Sequence, residues 1–259
     1  MTAMKTQAIP DFKIIIPARY ASSRFPGKPL IKIAGKPMLQ HAWECAKKSS
    51  ASEIIIATDD ERIYKAAKSF GAEVCMTDAQ HETGTDRLGE VCRHYAWPDE
   101  TLIVNLQGDE PLTPSIILQQ VALNLAQFTR AGMATLSTAI LSASDVLNPN
   151  VVKVVTDQTG YALYFSRAPI PWNRDSSTDL NNEQAQHYQR HLGIYAYRAG
   201  FLRAFSTMKP CVLEKTEKLE QLRALYNGVA IHVDVARELP GPGIDTPDDL
   251  LKVAHLFAG

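Results

Sequence analysis

An α/β fold is predicted by three features of the 259-residue sequence: short aliphatic runs bounded by polar turns, helix-length amphipathic segments between them, and runs that are apolar on both faces. Runs of the last kind, such as Ile14-Ile15-Ile16 and Ile54-Ile55-Ile56, need cover on both sides. That requirement implies a mostly parallel sheet sandwiched by helices. The predicted class is a Rossmann-like, mostly parallel sheet with helices on both faces and an antiparallel extension in its second half.

The elements follow in order. FKIII at 12–16, EIIIA at 53–57, EVCM at 73–76 and TLIVNL at 101–106 read as strands. Helices are expected over 37–49, 60–70, 84–96 and 114–127. Asp59-Asp60 and Thr113-Pro114 mark helix starts, since Asp or Thr accepts from free first-turn N–H groups and Pro suits the first helical position. Beyond about residue 134 the texture changes. MATLSTAI, VVKVVT and YALYFS are strand-like, and Asp157-Gln158-Thr159-Gly160 reads as a tight turn, so the last two form an antiparallel hairpin. The polar, aperiodic stretch 173–186 is expected to be a mobile surface loop or lid. A strand at 191–198, helices near 200–207 and 214–227, a strand at 230–235 and a helix at 247–257 complete the chain. There is no internal repeat and no long linker. A single domain over 1–259 is expected, with 1–11 as a flexible extension and about 134–235 containing the antiparallel lobe, a flat element of the kind that often mediates dimers.

Composition sets bounds on function. At 45% hydrophobic and 21% charged residues the chain is an ordinary globular protein, long enough to bury about 70% of its surface. Lys and Arg number 27 against 28 Asp and Glu, so no global field draws the protein to nucleic acid or an anionic membrane, and any anion site is local. No apolar stretch approaches the ~20 residues of a membrane span, and the first residues lack a secretory signal, so the cytoplasm is the expected compartment. Cys45, Cys75, Cys92 and Cys211 form no CxxC pair and are expected to be reduced, mostly buried thiols.

In open α/β sheets, ligands sit beyond the carboxyl ends of the strands, and four of the loops there are unusual. The loop after Ile16 carries Arg19, Arg24 and Lys28 with no acid between them, a set suited to phosphate oxygens. It is not a Walker A loop, because neither Gly27-Lys28-Pro29 nor Gly35-Lys36-Pro37 continues with Ser or Thr, and no GxGxxG occurs. The second loop, Gln107-Gly108-Asp109-Glu110-Pro111, sets two carboxylates at the sheet edge beside a glycine that permits close backbone approach. Carboxylate oxygens are what Mg²⁺ prefers. The third loop leads through Asp245 into Asp248 and Asp249, of which the latter two complement a helix dipole and Asp245 is the better metal candidate. The fourth carries Thr83-Gly84-Thr85-Asp86-Arg87, which reads equally as a nucleotide-reading helix start or a plain cap. His187 and His191 lack the Glu of HExxH, and no GxSxG is present, which argues against zinc and serine-hydrolase chemistry.

Together, IIPARYASSRFPGKPL, ETGTDR, VNLQGDEP, VVKVV, YALYFSRAPIPW, RHLGIYAYR, TEKLEQLR and GIDTPDDL make a chain that resembles the 3-deoxy-manno-octulosonate cytidylyltransferases over about residues 12–257. The R-x4-R-x-P-x-K pattern at 19–28 is shared with the related sialic-acid-activating enzymes. The resemblance implies transfer of CMP from CTP to 3-deoxy-D-manno-octulosonate (Kdo) with release of pyrophosphate, with Mg²⁺, in the cytoplasm, by a homodimer, for lipopolysaccharide synthesis. It implies that Arg19, Arg24 and Lys28 hold the triphosphate, that Thr83, Gly84 and Arg87 lie by the nucleotide, and that Gln107 sits between nucleotide and sugar. Asp109 and Asp245 would bind the metal, while Arg167, His191, Tyr195, Glu220 and Gln221 fall on sugar-site positions. Arg19, Lys28, Asp109 and Asp245 are thus the implied catalytic set. The rival readings are a sialate-type cytidylyltransferase, a silent nucleotide-binding regulator and a scaffold.

Overall fold

The computed structural model describes residues 8–21, 25–81, 83–174, 180–244 and 246–257. The chain alternates strand and helix as its pattern requires: β1 (Phe12–Ala18), the short pair β2 (Lys32–Ile33) and β3 (Lys36–Pro37), α1 (Met38–Lys47), β4 (Glu53–Thr58), α2 (Glu61–Ser69), β5 (Glu73–Met76), α3 (Gly84–His94), β6 (Leu102–Asn105) and α4 (Ser115–Gln127). The second half comprises β7 (Ala131–Ala139), α5 (Ala143–Leu147), β8 (Lys153–Thr156), β9 (Ala162–Ser166), α6 (Asn182–Ala185), β10 (Gln189–Arg198), α7 (Ala199–Phe205), α8 (Val212–Glu217), α9 (Gln221–Tyr226), β11 (Ala230–Val235) and α10 (Pro247–Val253).

The main sheet runs β11-β7-β10-β6-β1-β4-β5, with β8 joined to β10 and β9 to β8. β1 pairs in parallel with β4 and β6, β4 with β5, and β11 with β7. β10 alone on this path runs the other way, antiparallel to both β6 and β7. The aliphatic runs explain the layering. Phe12, Ile14 and Ile16 of β1 pack into a core with Leu39 and Ala42 of α1, Ile63 of α2 and Leu118 of α4, while Ile15 enters a second core with Leu88 of α3, Leu202 of α7 and Leu222 of α9. Successive strand residues point to opposite faces, so a strand apolar throughout feeds both cores. This is the α/β architecture the runs predict.

Helix starts follow local chemistry. Asp60 caps α2, accepting from the amides of Arg62 and Ile63 at 2.9 and 3.4 Å, and Thr83 caps α3 by accepting from Asp86 N at 3.1 Å. Asp157 accepts from the amides of Thr159 and Tyr161, and Gly160 supplies a φ of +84°, which closes the β8–β9 hairpin.

The structure departs from expectation in four places. Pro114 precedes α4 as its cap residue, not as its first helical residue, and Thr113 is buried without capping it. The stretch 173–186 is not wholly a loop: Asn181 and Gln184 form a capping box that starts α6, while 175–179 lie outside the described residues. The helix expected over 214–227 is two, α8 and α9, broken where Lys218 adopts φ 55°, ψ 47°. The last helix stops at Val253 and tightens into a 3-10 turn over Ala254–Phe257. Of the predicted N-terminal extension, 1–7 lie outside the described residues. All four cysteines are free thiols, three of them buried.

Candidate active site

The loops that follow β1, β5 and β6 meet around Pro17. A Cβ built on Gly84 would stand 3.8 Å from the Pro17 ring, and one on Gly108 would stand 3.3 Å from the Pro17 carbonyl oxygen. Both glycines thus permit a close approach of backbone to the end of β1. Arg19 reaches across this junction, its Nη2 donating to the carbonyls of His81 at 2.5 Å and Thr83 at 2.9 Å. Lys28 Nζ donates to Asp109 Oδ2 at 2.5 Å. Phosphate-suited cations and a carboxylate therefore share one edge of the sheet. Arg24, the third cation of the loop, lies outside the described residues.

Arg87 has a different place. It is fully buried, its Nη2 3.1 Å from Asp59 Oδ2 and its Nη1 donating to the Thr77 hydroxyl, so it ties α3 to the ends of β4 and β5 and does not line the cleft. Burial and the neighbouring Arg19 charge pull its pKa down while Asp59 opposes them.

Two carboxylates remote in sequence can share an ion only if the fold brings their loops together. The Ile244 amide donates to the Asp109 carbonyl at 3.0 Å, which brings the chain immediately before Asp245 to the Asp109 loop. Asp245 itself lies outside the described residues. The Asp109 carboxylate is about one-third exposed and already draws an ammonium to 2.5 Å. An oxygen donor at that edge, open to solvent and attractive to cations, fits a hard divalent ion. Asp249, by contrast, accepts from the Thr246 amide and hydroxyl in a capping box, which matches a helix-start role.

Beside this edge opens a cleft of about 390 Å³, walled by the start of α3, the ends of β6 and β10, α7, and the corner between α8 and α9. Gln107, Gly84, His191, Tyr195, Glu220 and Gln221 line it. His191 Nε2 lies 3.0 Å from Thr135 Oγ1 and accepts from the Gly193 amide at 3.3 Å. Burial pushes its pKa down to about 3, so the imidazole is neutral at physiological pH. Glu220 accepts from the Thr85 hydroxyl at 2.8 Å, and burial raises its carboxyl pKa. The Tyr195 phenol is held protonated by burial, and its Oη, like Gln221 Nε2, has no hydrogen-bond partner among the described residues. Buried polar atoms are normally paired, so these two are open to a hydrogen bond from a molecule in the cleft.

Arg167 is turned away from the cleft. Its Nε donates to the Glu217 carbonyl at 2.6 Å and its Nη1 to the Pro149 carbonyl at 2.8 Å, because the last turn of α8 leaves a carbonyl free. Asn105, Tyr197 and Lys218 line the cleft and are absent from the sequence-derived set. The signal for Asn105 is visible in retrospect: it is an amide at the carboxyl end of an otherwise aliphatic strand. Tyr197 and Lys218 carry no such signal.

The cytidylyltransferase family profile matches residues 13–231. A 3-deoxy-manno-octulosonate cytidylyltransferase of Aeromonas hydrophila is 57% identical over 252 residues, covering 96% of this chain and 99% of that one. The namesake enzyme of Histophilus somni is 53% identical over 254 residues, with the same coverage. A solved structure described as CMP:2-keto-3-deoxy-manno-octonic acid synthetase complexed with CTP superposes with a TM-score of 0.85 at 42% identity, covering 96% of this chain and 99% of that one. Across nearly all of its length, in sequence and in fold, the chain belongs to the 3-deoxy-manno-octulosonate cytidylyltransferase family.

Proposed function

We propose that this protein transfers CMP from CTP to Kdo, giving CMP-Kdo and pyrophosphate. The observation that carries the reading is the juxtaposition of Arg19, Lys28 and Asp109 with a cleft lined by unpaired hydroxyl- and amide-bearing side chains. The first group suits a triphosphate and the second a polyhydroxylated acid.

The reaction needs no enzyme nucleophile. The anomeric hydroxyl oxygen of Kdo attacks the α-phosphorus, the bond from that phosphorus to the bridging oxygen breaks, pyrophosphate departs with that oxygen, and the hydroxyl proton passes to solvent. Arg19, Arg24 and Lys28 hold the triphosphate and offset the charge that grows on the leaving group. Thr83, Gly84 and Gln107 face the nucleotide, and Arg87 acts from beneath them by fixing α3 against Asp59. His191, Tyr195, Glu220 and Gln221 take the sugar hydroxyls. Arg167 would exchange its carbonyl partners for the sugar carboxylate. Asp109 and Asp245 would hold a Mg²⁺. The chemistry such an ion supplies when bound is Lewis-acid charge neutralisation at phosphate and hydroxyl oxygens.

The same reading carries a homodimer, a cytoplasmic location and a role in lipopolysaccharide synthesis. No helix among the described residues is long and apolar enough to cross a membrane. The test is pyrophosphate release with CTP and Mg²⁺ in the presence of Kdo, N-acetylneuraminate or no sugar, with UTP as base control and a chelator as metal control. Release only with CTP plus Kdo, abolished by the chelator, is expected. Release with N-acetylneuraminate instead would move the assignment to the sialate-type reaction, and none with either sugar would leave a silent nucleotide binder.

A further inference from the structure

We infer that the C-terminal segment clamps the triphosphate-binding loop: Leu250 of α10 and Phe257 of the closing 3-10 turn are positioning residues that hold Phe25, and with it Lys28, against the Asp109 loop. CTP affinity then depends on side chains that lie behind the site. The inference rests on the CTP-dependent reading given above.

Ile33, Met38, Ile244 and Val253 are buried together, with Phe25, Leu112, Leu250 and Phe257 packed against them, in a cluster separate from the two cores that flank the sheet. Each segment of the site gives this cluster a member. Phe25 lies in the loop of Arg19 and Lys28, Leu112 in the loop that carries Asp109, and Ile244 directly before Asp245. The backbone repeats these ties. The Ile244 amide donates to the Asp109 carbonyl at 3.0 Å and the Gly241 amide to the Leu112 carbonyl at 3.3 Å. A Cβ built on Gly241 would stand 2.5 Å from Leu112 Cβ, so a glycine is what lets these two loops touch. On the far side, His41 of α1 donates from Nε2 to the Ile33 carbonyl at 2.8 Å and meets the Phe257 ring edge-on, 4.7 Å between ring centres.

No residue of α10 or of the 3-10 turn enters either main core, so among the described residues this cluster is the apolar anchor of the C-terminal segment. An element held by one small satellite cluster opens at a lower free energy than the whole molecule. When the segment is docked, Phe25 is backed by it and the chain carrying Lys28 meets Asp109. When it is undocked, the loops lose the floor they share. A ligand that binds only the docked form has its dissociation constant raised in proportion as the docked fraction falls, and by linkage it stabilises docking in return. The triphosphate is such a ligand, because the loop proposed to hold it is the one the cluster supports. The sugar is not, because the cleft proposed for it is walled by other elements and none of the cluster residues lines it.

The experiment measures CTP binding by calorimetry in the presence of Mg²⁺, together with backbone amide exchange. It uses the full-length protein, Leu250→Ala, Phe257→Ala and, as control, Leu251→Ala, which removes a side chain of the same helix that is 76% exposed. The expected result is a rise of roughly tenfold in the CTP dissociation constant for each of the first two variants, which corresponds to a docked fraction of about one tenth. Leu251→Ala is expected to stay within about twofold, as is KM for Kdo at saturating CTP in all three variants. CTP is also expected to slow amide exchange over residues 251–257 of the unmodified protein, and to restore that protection in the two cluster variants when saturating. A merely structural role would lower the unfolding midpoint without making exchange in this segment depend on CTP. Unchanged CTP affinity in both cluster variants, an equal loss in Leu251→Ala, or exchange over 251–257 indifferent to CTP overturns the inference. If Phe257→Ala does not fold, Leu250→Ala and the exchange of the unmodified protein decide. Failure of the unmodified protein to bind CTP overturns the transfer reading and this inference with it; CTP binding that the variants leave unaltered overturns the inference alone.

Discussion

Asp109 is the residue on which the proposed chemistry turns, and its surroundings explain why one carboxylate can serve. It stands in the turn that follows β6, where the Glu110 amide donates to the Gln107 carbonyl and the Ile244 amide to its own carbonyl, and its side chain reaches solvent at the sheet edge. Lys28 approaches it to 2.5 Å, and the loop leading to Asp245 is hydrogen-bonded to its carbonyl. Replacing it removes one carboxylate beside Lys28 and an oxygen donor for a divalent ion. Asp109→Ala is expected to lower kcat for pyrophosphate release by at least a hundredfold, about 2.7 kcal/mol of barrier, with the fold intact by circular dichroism. Turnover retained within tenfold would remove Asp109 from the metal role. The arginines show the limit of residue-level reading. Arg19, Arg87 and Arg167 are chemically identical, yet one spans two loops, one is sealed against Asp59, and one caps backbone carbonyls. Sequence identifies which cations are present near strand ends; burial and the competition from nearby carbonyls decide where each points, and neither is written in local spacing.

At the scale of elements, the central parallel strands were legible because a strand buried on both faces must be largely apolar, and the aliphatic stretches of β1, β4 and β6 meet that condition, whereas the edge strand β5 exposes Glu73 and Met76. The helix break at Lys218 was not, because TEKLEQLR has helix-forming residues on both sides and no Gly or Pro to mark a stop. What breaks it is tertiary. Arg223 of α9 donates from Nε and Nη2 to the two oxygens of Glu214 in α8 at 2.8 and 2.5 Å, with both residues buried, and its guanidinium lies 4.5 Å from the Phe205 ring centre. This pair clamps the two short helices at an angle that a continuous helix would not allow, and it forces Lys218 into the left-handed region. The corner so made carries Glu220 and Gln221 to the cleft. Arg223→Met leaves a buried carboxylate unpaired, and is expected to destabilise the protein by about 3 kcal/mol in urea unfolding, since breaking one side of a buried pair costs more than removing both. A loss under about 1 kcal/mol would mean the clamp is not what holds the corner.

At the scale of the molecule, the sheet joins two halves of different character through β10, whose reversed direction lets β8 and β9 hang from it as an antiparallel extension. Leu141, Leu147, Leu163 and Trp172 near it are each more than half exposed, as are Val212, Val235 and Leu251 elsewhere, whereas β1 and β6 are buried throughout. Among the described residues β9 pairs only with β8 in the sheet, and Leu163 is exposed while Ala162 and Tyr164 on either side pack toward the second core. An exposed apolar edge of this sort is a liability for a monomer and a natural contact for a second copy. Because a symmetric contact repeats each residue on both partners, a charge placed at its centre is met by its own like charge or by an apolar surface, and either penalty is doubled. The proposed homodimer therefore predicts that the unmodified chain runs at twice its monomer mass in light scattering at micromolar concentration, and that Leu163→Glu with Trp172→Glu runs as a folded monomer. A variant that stays dimeric would place the contact elsewhere, and an unmodified chain that is monomeric throughout would mean that each cleft works without a second subunit.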